Sequence, residues 1–247
     1  MKKVLSVILI LAGIGVFLYP YGVERYQDYM RYKLLMSLEL EEQTEDSYES
    51  WDLGEKTPVH EELGQSIKPI EQNADEEDLR RRQLEKEEAN RKKKEEERKK
   101  WKEYVDSITE GILTINKIDL RLPIITGASK EHMNISVAGV EGTGKPGEAG
   151  NYCIAGHRSH AYGKNFNRLD ELEPQDIIEV KCGKQVYRYI VFEKFVVMPE
   201  ETWVLYKKMD YEKEITLITC TPMYNPTHRI IVKGRLEEDV SESGVKK

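Results

Sequence analysis

The sequence predicts an all-β domain, closed as a barrel or packed as a sandwich, carried behind a charged helical stalk and an apolar N-terminal segment. Three observations predict it. From about Asp106 onward, short runs rich in Val, Ile, Thr and Tyr alternate with Gly and Pro, the pattern of short strands bounded by turns. Residues Asp75 to Val105 just before are dominated by charged side chains. Val4 to Val23 carries no charge.

The N-terminal run "VLSVILILAGIGVFLYPYGV" follows Lys2 and Lys3. A bilayer core needs roughly 20 apolar residues in a helix, and this run is just long enough. A cleaved signal peptide would end in small residues of the A-x-A kind, whereas Tyr19-Pro20-Tyr21 closes the run. The reading is an uncleaved membrane anchor over 1–23. The lysines stay cytoplasmic by the positive-inside tendency, and the rest of the chain lies outside the cell. No second hydrophobic span is expected further on.

Residues 24–105 form a stalk region. In Glu24 to Leu40, Tyr26, Tyr29, Met30 and Leu34 recur at helical spacing and predict a juxtamembrane helix. Glu41 to Asn73 is polar and acidic, contains Pro58 and Pro69, and reads as a linker. Asp75 to Val105 pairs acid with base at i,i+4, as in Glu76–Arg80, Glu87–Arg91, Glu95–Lys99 and Glu96–Lys100. Each pair supports a helix by about 0.2–0.5 kcal/mol. Apolar residues are too few for a coiled-coil seam, so a solvated helix is expected, with a charge-mediated partner site as the alternative.

The globular domain is placed at 106–238, with a polar tail at 239–247. Seven runs read as strands: "GILTINKI", "LRLPIITG", "GNYCIAGH", "DIIEVKCG", "KQVYRYIVFEKFVVM", "EITLITC" and "RIIVKGRLEE". Lys130 to Ala138 and Asn165 to Leu172 read as short helices. At 34% charged residues and a net charge of −7, no strongly basic domain stands out, which argues against a nucleic-acid partner. The cysteines Cys153, Cys182 and Cys220 show no CxxC or zinc-ligand spacing, and no EF-hand-like loop occurs. Neither a disulfide framework, a metal nor a cofactor is expected.

Chemistry converges on Cys220. It ends a strand-like run, and eight residues, Thr221 to His228, separate it from Arg229. Pro222 and Asn225-Pro226 make that interval a loop. A symmetric hairpin then sets Cys220 opposite Arg229, with Cβ atoms about 4.5–5.5 Å apart. A guanidinium there favours thiolate, the reactive species, and can hold a developing oxyanion. Alternation puts Ile218 on the face of Cys220, with Leu217 and Thr219 on the other. His157, at the end of "NYCIAGH", is the candidate acid–base partner. Alternation turns His228 away, His160 lies in a loop, and His60 and His132 read as surface. Cys153 reads as a buried apolar residue, Cys182 as an incidental surface thiol, Arg121 as a surface charge and Thr219 as structural packing.

"TLITC" (216–220), a loop, "RIIV" (229–232) and an upstream "AGHR" (155–158) together resemble the sortases, cysteine transpeptidases of Gram-positive cell walls. The resemblance covers roughly Ile112 to Leu236. It implies an eight-stranded β-barrel in which Cys220 is the nucleophile, His157 the acid–base and Arg229 the oxyanion partner. It further implies cleavage of an LPxT-type sorting signal after Thr, through a thioester, with transfer to an amine of a peptidoglycan precursor or cross-bridge. "GNYCIAGHRSHAYGKNFNRLDEL" and "TCTPMYNPTHRIIVKG" look most like class D. A class C-like pilin polymerase shares the "TP…THR" loop. The rival classes are a papain-like or NlpC/P60-like cell-wall peptidase, in which the cysteine precedes the histidine, and a non-catalytic anchored scaffold.

Overall fold

The computed structural model describes residues 2–49, 74–161, 163–207 and 211–237. The remainder of the expected linker, 50–73, and the polar tail lie outside the described residues. The chain divides into two units, one holding the barrel with the first helix up to Glu42, the other spanning Gln43–Ser107.

The second unit is dominated by helix α2, Ala74–Ile108. Glu96 meets Lys100 at 2.7 Å, as its spacing predicts, while Asp78 draws both Arg81 and Arg82, at 2.6 and 2.9 Å. Exposed pairs of this kind add little individually. The helix forms because good helix formers fill it and Gly and Pro are absent.

In the first unit, helix α1 runs unbroken over Lys2–Glu49, so its last turns occupy the start of the expected linker. Leu9, Ile10, Leu11, Val16, Phe17 and Leu18 are all more than half exposed and spread around its whole circumference. Among the described residues no helix is long and apolar enough to cross a membrane. Val4, Leu5, Val7 and Ile8 of the expected anchor lie outside the described side chains. Further along, α1 lies on the barrel instead of standing apart in a stalk. Met30 and Leu34, one turn apart, are buried. Lys164 reaches Glu24 and Asp28 at 3.0 and 2.8 Å, and Arg31 donates to the Ile135 carbonyl and to Asn165 Oδ1. Arg121, expected to be a surface charge, pairs with Glu39 at 2.7 Å.

The barrel has eight strands: β1 Thr109–Ile115, β2 Leu120–Thr126, β3 Val137–Gly139, β4 Gly150–Ala155, β5 Ile177–Cys182, β6 Gln185–Val197, β7 Lys213–Thr221 and β8 His228–Leu236. It closes in the order β1-β2-β3-β4-β7-β8-β6-β5. Closure leaves no free edge, the stable solution for a small all-β domain. The β2–β3 and β4–β7 pairs are parallel and the others antiparallel. Strand β3 falls inside the stretch expected to be helical. Only its first part, α3 at Lys130–Ile135, is a helix, capped by the Ser129 hydroxyl accepting from the His132 N–H. Of the second expected helix only the 3₁₀ turn Leu169–Glu171 forms.

Alternation along the strands sorts two faces. Ile154, Tyr189, Ile215, Leu217, Ile230 and Val232 fill the barrel. On the outer face, Val197, Ile218 and Ile231 pack under Val204 and Leu205. The cover is the segment between β6 and β7. Three polar side chains hold three successive carbonyls of that segment: Asn151 Nδ2 donates to Val204 O at 3.1 Å, Cys153 Sγ to Leu205 O at 3.7 Å, and Lys233 Nζ to Tyr206 O at 3.2 Å. Lys233 also meets Glu214 at 3.2 Å, with both side chains at most 1% exposed.

Candidate active site

The site lies where the outer faces of β4, β7 and β8 end together. Cys220 pairs directly with Arg229 in the antiparallel β7–β8 ladder, as the hairpin symmetry predicts. Both are partly exposed. Ile218 shares the face of Cys220, whereas Leu217 points into the barrel. The Arg229 guanidinium donates to the carbonyl of His228 at 3.0 Å.

His157 arrives from the other side. The parallel β4–β7 ladder runs to Ala155↔Ile218, and the Gly156 N–H extends it by donating to Ile218 O at 3.1 Å. Carried forward, that register sets 157 beside 220, one strand spacing of about 4.8 Å away. Thiol and guanidinium thus occupy neighbouring strand ends, and His157 follows two residues after the end of the next strand, β4. Gly156 is needed for close approach, because a Cβ there would fall within 2.8 Å of Phe166 and 2.9 Å of Val137. Partial burial, and then the charge of Lys130, holds the His157 imidazole below the usual histidine range. At neutral pH it is therefore mainly uncharged and able to accept a proton.

The other candidates separate from this row. His228 pairs with Thr221, and its ring contacts the Thr227 hydroxyl at 2.8 Å. His160 is exposed and stacks on Tyr224, ring centroids 4.7 Å apart. His132 Nδ1 lies 2.9 Å from the Gly127 carbonyl. His60 lies outside the described residues. Cys153 is fully buried, and burial pushes its thiol up to about 11. Cys182 is not the surface thiol expected; it packs against the barrel core, and burial pushes it likewise to about 11. Neither yields thiolate readily near neutral pH. Among the described residues no group of His, Cys, Asp and Glu is placed to hold a metal.

Sequence reasoning missed several residues around the site. Arg158 Nη1 donates to Thr221 Oγ1 at 3.1 Å and its Nη2 meets Asp170 at 2.7 Å. Lys233, Glu214 and Asn151 tie down the neighbouring cover. The usable signal was adjacency: Arg158 follows His157, and Thr221 follows Cys220. A groove beside His157 is walled by Tyr19, Pro20 and Val23 of α1 together with His160, Lys164 and Asn165.

A family model described as the sortase domain matches residues 113–237. The chain is 30% identical over 142 residues to Sortase SrtE1 of Streptomyces coelicolor, covering 52% of this chain and 40% of that protein. It is 29% identical over 129 residues to Sortase D of Bacillus subtilis, covering 51% of this chain and 62% of that protein. Among solved structures, Sortase C of Streptococcus pneumoniae aligns with a TM-score of 0.50 at 26% identity, over 55% of this chain and 69% of the other. The chain thus spans less than two thirds of the length of these two curated relatives.

Fold and site define a closed β-barrel protein built around a strand-end cysteine. More narrowly, the chain belongs to the sortase family, with the matched segment running from β1 through the end of β8.

Proposed function

We propose that this protein is a membrane-anchored cysteine transpeptidase that cleaves an LPxT-type sorting signal after Thr and joins the new carboxyl end to a cell-wall amine. The observation that carries the reading is the direct pairing of Cys220 with Arg229 between β7 and β8, with His157 two residues past the end of β4, the strand paired to β7 on its other side. In this mechanism the uncharged His157 takes the Cys220 thiol proton as the sulfur adds to the carbonyl carbon after Thr. The Arg229 guanidinium holds the resulting oxyanion. Collapse breaks the C–N bond, and the protonated His157 gives its proton to the departing amine, leaving a thioester. The acceptor amine then loses its proton to His157, attacks the thioester, and Cys220 departs as thiolate.

The same reading places the anchor at 1–23, a juxtamembrane helix that docks on the barrel, a linker and a charged stalk in that order within 24–105, and the catalytic domain at 106–238. The N-terminus is cytoplasmic and the barrel extracellular. The exposed apolar girdle of α1 from Leu9 to Tyr21 supports the anchor, since water is a poor solvent for a helix apolar on every side. Sortase D of Bacillus subtilis among the relatives, with the resemblance of 150–172 and 219–234, favours class D over a class C-like pilin polymerase. Incubating the protein with a peptide library and a diamine acceptor, with products read by mass spectrometry, tests the reaction. Cleavage after Thr with amine capture is expected. Intact peptides across the library, or products that are only hydrolytic, would count against it.

A further inference from the structure

Two side-chain hydrogen bonds cross between β4 and β7 beside the candidate site. Thr219 Oγ1 donates to the Gly156 carbonyl at 2.8 Å, and Arg158 Nη1 donates to Thr221 Oγ1 at 3.1 Å. Residues 219 and 221 flank Cys220; residues 156 and 158 flank His157. Both bonds join residues 63 apart, the offset of the β4–β7 ladder. In a strand, residues on either side of a given position point to the opposite face. The two bonds therefore lie behind the thiol and imidazole, not among the reacting atoms.

Regular ladder pairing ends at Ala155, and His157 sits just beyond it in a loop. Backbone pairing alone would let that loop drift from β7. Arg158 closes the gap. Its guanidinium is held from the other side by Asp170, and its backbone forms an isolated antiparallel bridge with Asn165. Its Nε is a buried side-chain nitrogen without a hydrogen-bond partner. A buried donor left unmade is unfavourable, and here it accompanies two made contacts at the other guanidinium nitrogens. Asp170 and Thr221 dictate its position.

We propose that Arg158, braced by Asp170, is a positioning residue: with the Thr219–Gly156 bond it forms a two-point clamp that sets the separation of Cys220 and His157. The clamp touches no substrate. It acts through the two residues that do, and in that sense it rests on the proposed transpeptidase reading. Arginine suits the task because its planar fork reaches two partners at fixed angles, which an ammonium does not reproduce.

The test compares wild type, Arg158→Gln, Arg158→Lys, Thr221→Val and the Arg158→Gln/Thr221→Val double variant in the full chain. Two readouts are taken: steady-state turnover of a cognate peptide, and the pH dependence of Cys220 alkylation by iodoacetamide. Arg158→Gln should lower kcat at least tenfold while KM changes less than twofold, and Arg158→Lys should recover part of the loss. The double variant should be no worse than the poorer single one, because both remove the same bond. Alkylation of wild type should show an inflection from His157 that weakens in Arg158→Gln. Alkylation needs no peptide, so it reports on the clamp even if the transpeptidase reading fails. Unchanged kcat and an unchanged alkylation profile in folded Arg158→Gln would overturn the proposal. So would additive losses in the double variant.

Discussion

Replacing Lys233 with methionine should destabilise the barrel far more than its place in a strand reading "RIIVKGRL" suggests. The ammonium and the Glu214 carboxylate are at most 1% exposed and 3.2 Å apart. Removing one partner of a buried ion pair typically costs about 3–5 kcal/mol, because the other charge stays desolvated. For a domain of about 130 residues, an unfolding entropy near 2.1 cal/mol/K per residue makes each kcal/mol worth about 4 °C. The melting temperature should therefore fall by about 10–20 °C. Lys233→Met/Glu214→Leu removes both charges and should recover most of that loss. The residual loss includes the bond to the Tyr206 carbonyl, worth about 0.5–1.5 kcal/mol. Near-UV circular dichroism of the full chain during heating follows the barrel's aromatic packing and gives little weight to the stalk helix. A fall below about 3 °C for Lys233→Met, or a double variant no more stable than the single one, would refute the reasoning.

Three further outcomes are expected. His157→Ala should reduce turnover about 10²–10⁴-fold, the usual worth of general acid–base catalysis, while His228→Ala and His160→Ala retain most of it; steady-state peptide assays decide. Arg229→Lys should cost on the order of 2.7–4 kcal/mol of barrier if the guanidinium holds the oxyanion, read as the drop in kcat/KM. The lowered titration of His157 also has a stability consequence. Between its folded value and the ordinary value near 6.5, the unfolded chain binds a proton that the folded chain does not. Stability is therefore lost as pH falls from about 7 through that window, and thermal melts of wild type should decline more steeply there than those of His157→Gln.

What was legible in the sequence follows from how local each feature is. The Cys220–Arg229 pairing could be read because one short loop joins the two strands and its symmetry sets the register. Seven strands were legible as short apolar runs between turn residues. Strand β3 was not: three residues, "VAG", follow a capped helical turn and carry no periodicity of their own. The approach of His157 to Cys220 depends on parallel pairing between strands distant in sequence, which spacing does not reveal; the family resemblance supplied it. Lys233 shares a face with Arg229 and Ile231, and a lysine there reads as solvated until the segment covering it is known. The helical character of Glu24 to Leu40 was legible, but its docking was not, because Arg121 and Lys164, which receive it, lie in the distant barrel. Arg158 was hidden for a similar reason: its partners, Thr221 and Asp170, come from two other parts of the chain.

The central claim is that Cys220 carries the acyl group. Its most direct test is to incubate the full chain with a cognate sorting peptide, quench in acid, digest, and map the adduct by mass spectrometry. Hydroxylamine added in a parallel reaction should release the acyl group as the hydroxamate, as expected of a thioester. The account predicts an adduct on the peptide containing Cys220, lost in Cys220→Ala and retained in Cys153→Ala/Cys182→Ala. An adduct on Cys153 or Cys182, or full turnover by Cys220→Ala, would contradict it.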